Sequence, residues 1–232
     1  MPLSPLQQAL TLTAMAAVVF VIFGIWPGLD LWVSGLFFAS KTGFDGFADG
    51  RWNQARLVIW RLSEGVLALS ILAYLGGMIA PFPLLRANRR LSAFIAALYL
   101  LGPGLLVDAL LKPLWGRARP AQVTEFGGQL AFSPPHVLSG QCTSNCSFVA
   151  GEVAGAVALA VALFLVLDQV KSRISPVHRQ IAQALILLLP LYAGVQRIAA
   201  GRHFLSDVLL SAVFVLLCAV LLKSLILQSR PR

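Results

Sequence analysis

Six stretches of the chain are almost uninterruptedly apolar: approximately Ala9 to Trp26, Leu57 to Ile79, Leu91 to Leu111, Phe148 to Leu167, Ile181 to Ile198 and Phe204 to Leu227. A helix crossing a hydrocarbon layer roughly 30 Å thick needs about 20 such residues. The pattern therefore predicts an all-α fold, an integral membrane bundle of six transmembrane helices. Two connections stand out between them. The first, Gly28 to Arg56, carries Leu29-Asp30-Leu31-Trp32-Val33-Ser34-Gly35-Leu36-Phe37-Phe38, apolar on one side at helical spacing, which predicts an amphipathic helix lying in the interface. Such a helix either anchors the bundle or helps to admit a substrate. The longest, Lys112 to Cys146, carries Gly127-Gly128, Ser133-Pro134-Pro135 and a Cys142, Cys146 pair. A loop of that length in a small bundle is functional or disordered. The connections after the second and fourth helices are short and structural.

Composition agrees. Of 232 residues 58% are hydrophobic and 12% charged, and the mean hydropathy is +0.82, far more apolar than a soluble domain of this length. The six helices account for nearly all of the chain, which leaves one domain, 1–232, and no internal repeat. The first apolar stretch lacks a basic n-region and a small-x-small cleavage site, so it is expected to be a retained helix and not a signal peptide. Six spans put both termini on one side. Arg86, Arg89 and Arg90 in the second connection, Lys171, Arg173 and Arg179 in the fourth, and Lys223, Arg230 and Arg232 at the C-terminal end identify that side as cytoplasmic.

Those nine residues are half of the 18 Lys and Arg that give a net charge of +9, so the basic balance signals topology and not nucleic acid. Lys112, Arg117, Arg119, Arg197 and Arg202 fall on the outward side, where topology gives no reason for them. Cations at that surface point to an anionic ligand. Cys142 and Cys146 face an oxidising compartment in this topology, and either a short disulfide or two thiols fits their separation. Cys218 reads as packing within a helix. No second Cys pair or His pair stands at ligand spacing, so no metal or other cofactor is expected.

Three clusters fall at the outward ends of helices three to six. Lys112-Pro-Leu-Trp-Gly-Arg-Ala-Arg119-Pro120 closes the third helix, Ser147-Phe-Val-Ala-Gly151-Glu152 opens the fourth, and Arg197-Ile-Ala-Ala-Gly-Arg-His203-Phe-Leu-Ser-Asp207 joins the fifth to the sixth. Topology places all three in one layer. His203 and Asp207 are four apart at a helix start and so share a face; a carboxylate on one ring nitrogen would leave the other free to attack an electrophile. A phosphoryl group in transfer spreads negative charge over three oxygens and needs several fixed donors. Lys112, Arg119 and Arg197 are candidates, together with backbone N–H groups around Ala150 and Gly151 at the positive end of a helix dipole. Gly151 would let an oxygen approach closely.

The pattern Lys112-x6-Arg119-Pro120, a Phe-x-x-Gly-x turn, then Arg197-x5-His203-x3-Asp207 resembles the type 2 phosphatidic acid phosphatase superfamily, whose membrane branch has six helices. The resemblance implies that His203 becomes a phosphohistidine, that Asp207 orients it, and that Lys112, Arg119 and Arg197 hold the phosphate without a metal. The middle motif departs: where the family has Pro-Ser-Gly-His, this chain has Val149-Ala150-Gly151-Glu152, so a phosphate-binding hydroxyl and the usual general acid are missing. Glu152 stands where the family's His protonates the leaving oxygen. Either its pKa is raised by burial and it acts as that acid, or it stays ionised and pairs with an arginine or a headgroup hydroxyl. His136, in the long loop, is either a substitute acid or an exposed loop residue. Asp108, one turn before Lys112, either orients that lysine or neutralises it. Arg117 and Arg202 would reach a second anionic group or lie among lipid headgroups.

The function implied is a lipid phosphate phosphatase at the periplasmic face of a bacterial inner membrane, its partner a membrane lipid phosphate taken sideways from the bilayer. The altered middle motif and the long loop are similar to bacterial lipid A phosphatases. A phosphotransferase passing the phosphoryl group to another lipid, and a pseudo-enzyme that only binds an anionic lipid, are the alternatives. The sequence leaves the oligomeric state open.

Overall fold

A computed structural model describes residues 3–79 and 83–227. Arg230 and Arg232, among the cations that oriented the bundle, lie outside the described residues. Among those described there are six helices long and apolar enough to cross a membrane. Helix α1 (Pro5–Ile25) opens on a reciprocal cap: the Ser4 hydroxyl accepts from the Gln7 N–H at 3.2 Å, and Gln7 Oε1 accepts from the Ser4 N–H at 2.9 Å. A short helix α2 (Gly28–Gly35) follows. Helix α3 (Gly50–Ile79) runs for 30 residues, starting well before the apolar run at Leu57 because Arg51 to Arg56 contains no residue that breaks a helix. This early start carries Arg56 onto a rigid element.

The third span begins as α4 (Arg89–Tyr99), widens into a π-helical stretch over Leu100–Leu111 and closes with a last turn at Lys112–Trp115. Pro103, which has no N–H and is flanked by Gly102 and Gly104, lies inside the widened stretch. Helix α5 (Gly151–Val170) is the centre of the bundle, with Ala154, Gly155, Ala156, Ala158, Ala160 and Ala162 all buried. Small side chains let helix backbones approach closely, which in lipid substitutes for the missing hydrophobic force between helices. At one such approach Ser63 of α3 donates to the Gly155 carbonyl at 2.9 Å. Helix α6 (Pro176–Ala199) starts on a Ser175 cap and α7 (Leu205–Leu222) returns beside α5 and α1.

Helix α2 is amphipathic, but its polar side faces inward. Asp30 and Ser34 are buried while Trp32 and Leu36 are exposed. The reason is Arg117, at the start of the long loop, whose side chain has no exposed surface. Its Nη2 donates to Asp30 Oδ2 at 2.8 Å, its Nη1 to Asp207 Oδ1 at 2.6 Å and Ser206 Oγ at 2.9 Å, and its Nε to the Ser133 carbonyl at 2.8 Å. The guanidinium carbon lies 4.4 Å from the centroid of the Phe204 ring, adding a cation–π contact. Asp30 also accepts from the N–H of Ser206 at 2.9 Å and from its hydroxyl. Burial pushes the Asp30 carboxyl up against the pull of Arg117. One cation thus binds α2, the long loop and the start of α7 together. The expectation that Arg117 meets a second anion on a substrate, or lipid headgroups, is overturned: its side chain has no exposed surface and each of its three guanidinium nitrogens already donates within the protein.

Removing one member of a fully buried ion pair leaves the other charge unpaired, at a cost of about 3–5 kcal/mol. Thermal denaturation in detergent should accordingly show Arg117→Ala as strongly destabilised. Arg117→Lys should not restore it, since an ammonium cannot bridge two carboxylates in a planar fork.

Candidate active site

At the end of the bundle where α3, α5 and α7 start and α6 finishes lies a cavity of about 340 Å³. Its wall carries five cationic side chains, Arg56, Lys112, Arg119, Arg197 and Arg202, together with Glu152, Asp49, Asn53, Asn145 and His203. A slightly larger, mainly apolar groove of about 380 Å³ runs at the far end, past Leu12, Phe94 and Phe164. The polar cavity holds the chemistry.

His203 is 4% exposed and sits in the turn before α7. Its Nδ1 lies 2.7 Å from the Ser147 carbonyl. A carbonyl only accepts, so Nδ1 carries the proton and Nε2 keeps its lone pair for the cavity. Burial, reinforced by the Arg119 and Lys112 cations, holds the imidazole well below the usual histidine pKa. Both effects favour the neutral ring.

The direct contact expected between Asp207 and His203 is corrected. Helix α7 begins only at Leu205, with Phe204 as its cap, so the four-residue spacing does not span one helical turn. Asp207 instead turns back. Its Oδ2 accepts from the Ser147 hydroxyl at 2.6 Å and from the Phe204 N–H at 3.0 Å, and its Oδ1 takes Arg117. Ser147 is also fixed through its N–H, which donates to the Arg117 carbonyl at 2.8 Å. Asp207 therefore reaches the imidazole at one remove, by holding the residue whose carbonyl holds the ring.

The three predicted phosphate cations do meet in the cavity, each anchored separately. Lys112 pairs with Asp108, and Arg197 donates from Nε to Gln196 Oε1 at 2.6 Å and from Nη1 to Glu152 Oε1 at 3.2 Å. Arg119 is held by Asn145. Of the two arrangements open to Glu152, the structure contains the arginine pair: Oε1 accepts from Arg56 at 2.7 Å as well as from Arg197. Among the described residues its Oε2 is buried without a hydrogen-bond partner.

Ala150 and Gly151 are placed differently from their predicted role. Both are buried and neither lines the cavity. A Cβ on Gly151 would stand 2.7 Å from Lys112 Nζ and 2.8 Å from Asp108 Oδ1. What the glycine admits is therefore the Lys112–Asp108 pair and not a ligand oxygen. His136 is exposed, beside Gly24 and away from the cavity. Cys142 and Cys146 form a disulfide, their Cα atoms 5.5 Å apart.

Arg56, Ser147 and Asn145 also stand at this site, and sequence reasoning gave them no role. Arg56 carried the same signal as Arg119, a cation at the outward edge of an apolar run. Ser147 opens the second cluster, but nothing in the sequence marks its contact with His203 or that of Asn145 with Arg119, both of which arise from where the loop backbone returns.

With this geometry established, comparison with known proteins is informative. A profile described as the PAP2 superfamily matches residues 92–231. A lipid A 4'-phosphatase of Francisella tularensis subsp. novicida is 30% identical over 84% of this chain and 85% of its own length. One from Rhizobium etli is 33% identical over 82% of this chain and 76% of its own. A transmembrane PAP2-type phosphatidylglycerolphosphate phosphatase from Bacillus subtilis, 16% identical, shares the fold with a TM-score of 0.56 over 97% of this chain and 99% of that one. The chain belongs to the PAP2 superfamily.

Proposed function

We propose that this protein removes a phosphate monoester from lipid A, through a phosphohistidine on His203, at the periplasmic face of a bacterial inner membrane. The observation that carries the reading is the buried neutral His203, its Nδ1 occupied by a carbonyl and its Nε2 left to a cavity walled by cations. The lipid A assignment draws its support from the designation shared by the Francisella and Rhizobium relatives.

In the first half-reaction Nε2 attacks phosphorus and the bond to the lipid oxygen breaks, that oxygen taking a proton from water. Lys112, Arg119 and Arg197 carry the charge on the three phosphoryl oxygens, a preorganised arrangement that is stronger in the transition state than in the ground state. In the second half-reaction water attacks the phosphohistidine, the N–P bond breaks and inorganic phosphate leaves. Glu152 lines the cavity, its Oε1 engaged as an acceptor by two guanidinium groups, and this carboxylate is assigned the proton of that water. This role replaces the general acid that the resemblance would put at position 152. The reaction as written needs no metal.

Phosphate release from purified lipid A in detergent should survive EDTA and fall by a factor on the order of 10⁴ in His203→Ala; release that persists in that variant would sink the phosphohistidine. Glu152→Gln should slow dephosphorylation more than formation, so that an acid-labile, ³²P-labelled His203 accumulates on the millisecond to second scale in rapid quench. No accumulation would remove Glu152 from the second half-reaction. Protonation of the imidazole is opposed in the folded protein, so its titration moves down in pH. Nitrogen NMR of labelled His203 should show Nε2 still unprotonated down to about pH 6, where an ordinary histidine is largely charged.

A further inference from the structure

The side chain of Arg119 leaves the chain at the start of the long loop, and its hydrogen bonds go to one residue. Its Nε donates to the Asn145 carbonyl at 2.8 Å and its Nη2 to Asn145 Oδ1 at 2.6 Å, so main chain and side chain of one asparagine grip one edge of the guanidinium. Five N–H groups minus these two leave the other edge, Nη1 and one hydrogen of Nη2, directed away from Asn145. Arg119 and Asn145 both line the cationic cavity.

Two features make Asn145 suited to this. It lies inside the ring closed by the Cys142–Cys146 disulfide, and its φ is +52°, in the left-handed region that asparagine and glycine tolerate best. The ring turns the Asn145 carbonyl and amide oxygen to the same side. Its acceptors are also neutral. Lys112 is paired with Asp108 and Arg197 with Glu152, whereas among the described residues no carboxylate forms an ion pair with Arg119. A neutral anchor fixes the guanidinium while leaving its charge for a ligand. The fixing opposes repulsion, because Arg202 and Arg197 share the same cavity.

We propose that Asn145 is the positioning residue for Arg119, and that the Cys142–Cys146 ring exists to hold Asn145 in that pose. The loop disulfide thereby sets the geometry of the oxyanion site and does more than brace a loop. The inference rests on the reading of Arg119 as a phosphate ligand.

A double-mutant cycle tests it. Asn145→Gly keeps the left-handed backbone and the carbonyl but deletes the amide acceptor, so loss of fold is not the expected result. In the disulfide-bonded wild type it should lower kcat/KM for lipid A about tenfold, as expected when a hydrogen bond to a charged group is lost. In an Arg119→Ala background the same change should alter kcat/KM less than about twofold. The Cys142→Ser/Cys146→Ser double variant should behave in the same way in both backgrounds. A loss of equal size with and without Arg119, or no loss in the wild-type background, overturns the proposal, since a merely structural residue acts through the whole fold. The cycle is run in parallel on the affinity for orthovanadate, read by calorimetry. If the wild type binds vanadate but hydrolyses no lipid phosphate, the proposed function falls while the vanadate cycle still decides the role of Asn145. A wild type that binds no oxyanion at all overturns both.

Discussion

Arg117 is the constraint from which the site's geometry descends. A guanidinium with no exposed surface must place each of its donors, and here they reach Asp30 on the short helix, Asp207 and Ser206 at the start of the last span, and the Ser133 carbonyl in the long loop. Two carboxylates compete for one cation, so hydroxyl and amide donors from Ser206, Ser147 and Phe204 complete their coordination. The arrangement is costly to break and admits few alternatives, as buried polar networks do when every member is satisfied. Through Asp207 and Ser147 it extends to the imidazole. The His203 ring is therefore positioned by the same set of bonds that docks a surface helix onto the bundle.

The site is built on a second principle, the spacing of like charges. Five cations around one cavity would repel one another if left free. Each of the three that the proposed reaction calls on is restrained by its own partner, an aspartate for Lys112, a glutamate and a glutamine for Arg197, an asparagine for Arg119. The anchors differ in charge, so the three cations are not equivalent toward an anion. Glu152 couples Arg197 to Arg56, so a residue of α3 enters a constellation that the sequence motifs confine to three later segments.

Much of the architecture was legible because hydrophobic runs of membrane length have few other uses. Lys112, Arg119, Arg197 and His203 were brought to one cavity by topology alone, since four helix ends on the same side leave little choice. The errors share a cause. Asp207 was assigned to His203 by helical spacing, but the helix starts two residues too late for that spacing to apply. Gly151 was assigned to a ligand, but its empty side is filled by Lys112 and Asp108. Arg117 was assigned to a second anionic group or to lipid headgroups because a motif names only its neighbours. In each case the partner comes from another segment than the one the spacing describes, and for Asp207 it is reached through a loop whose path depends on Gly116 at φ +55° and on the return of residues 139 to 147, which no periodicity encodes.

The acceptor on His203 Nδ1 is a main-chain oxygen, and every amino acid supplies one. No single substitution at position 147 can delete it, and no change of acidity can protonate it in the working range. A carboxylate in that place would draw the ring toward its charged form and tie the tautomer to the ionisation of a second group. With a peptide carbonyl, which ring nitrogen keeps its lone pair is set by the path of the chain and not by the ionisation of a second group.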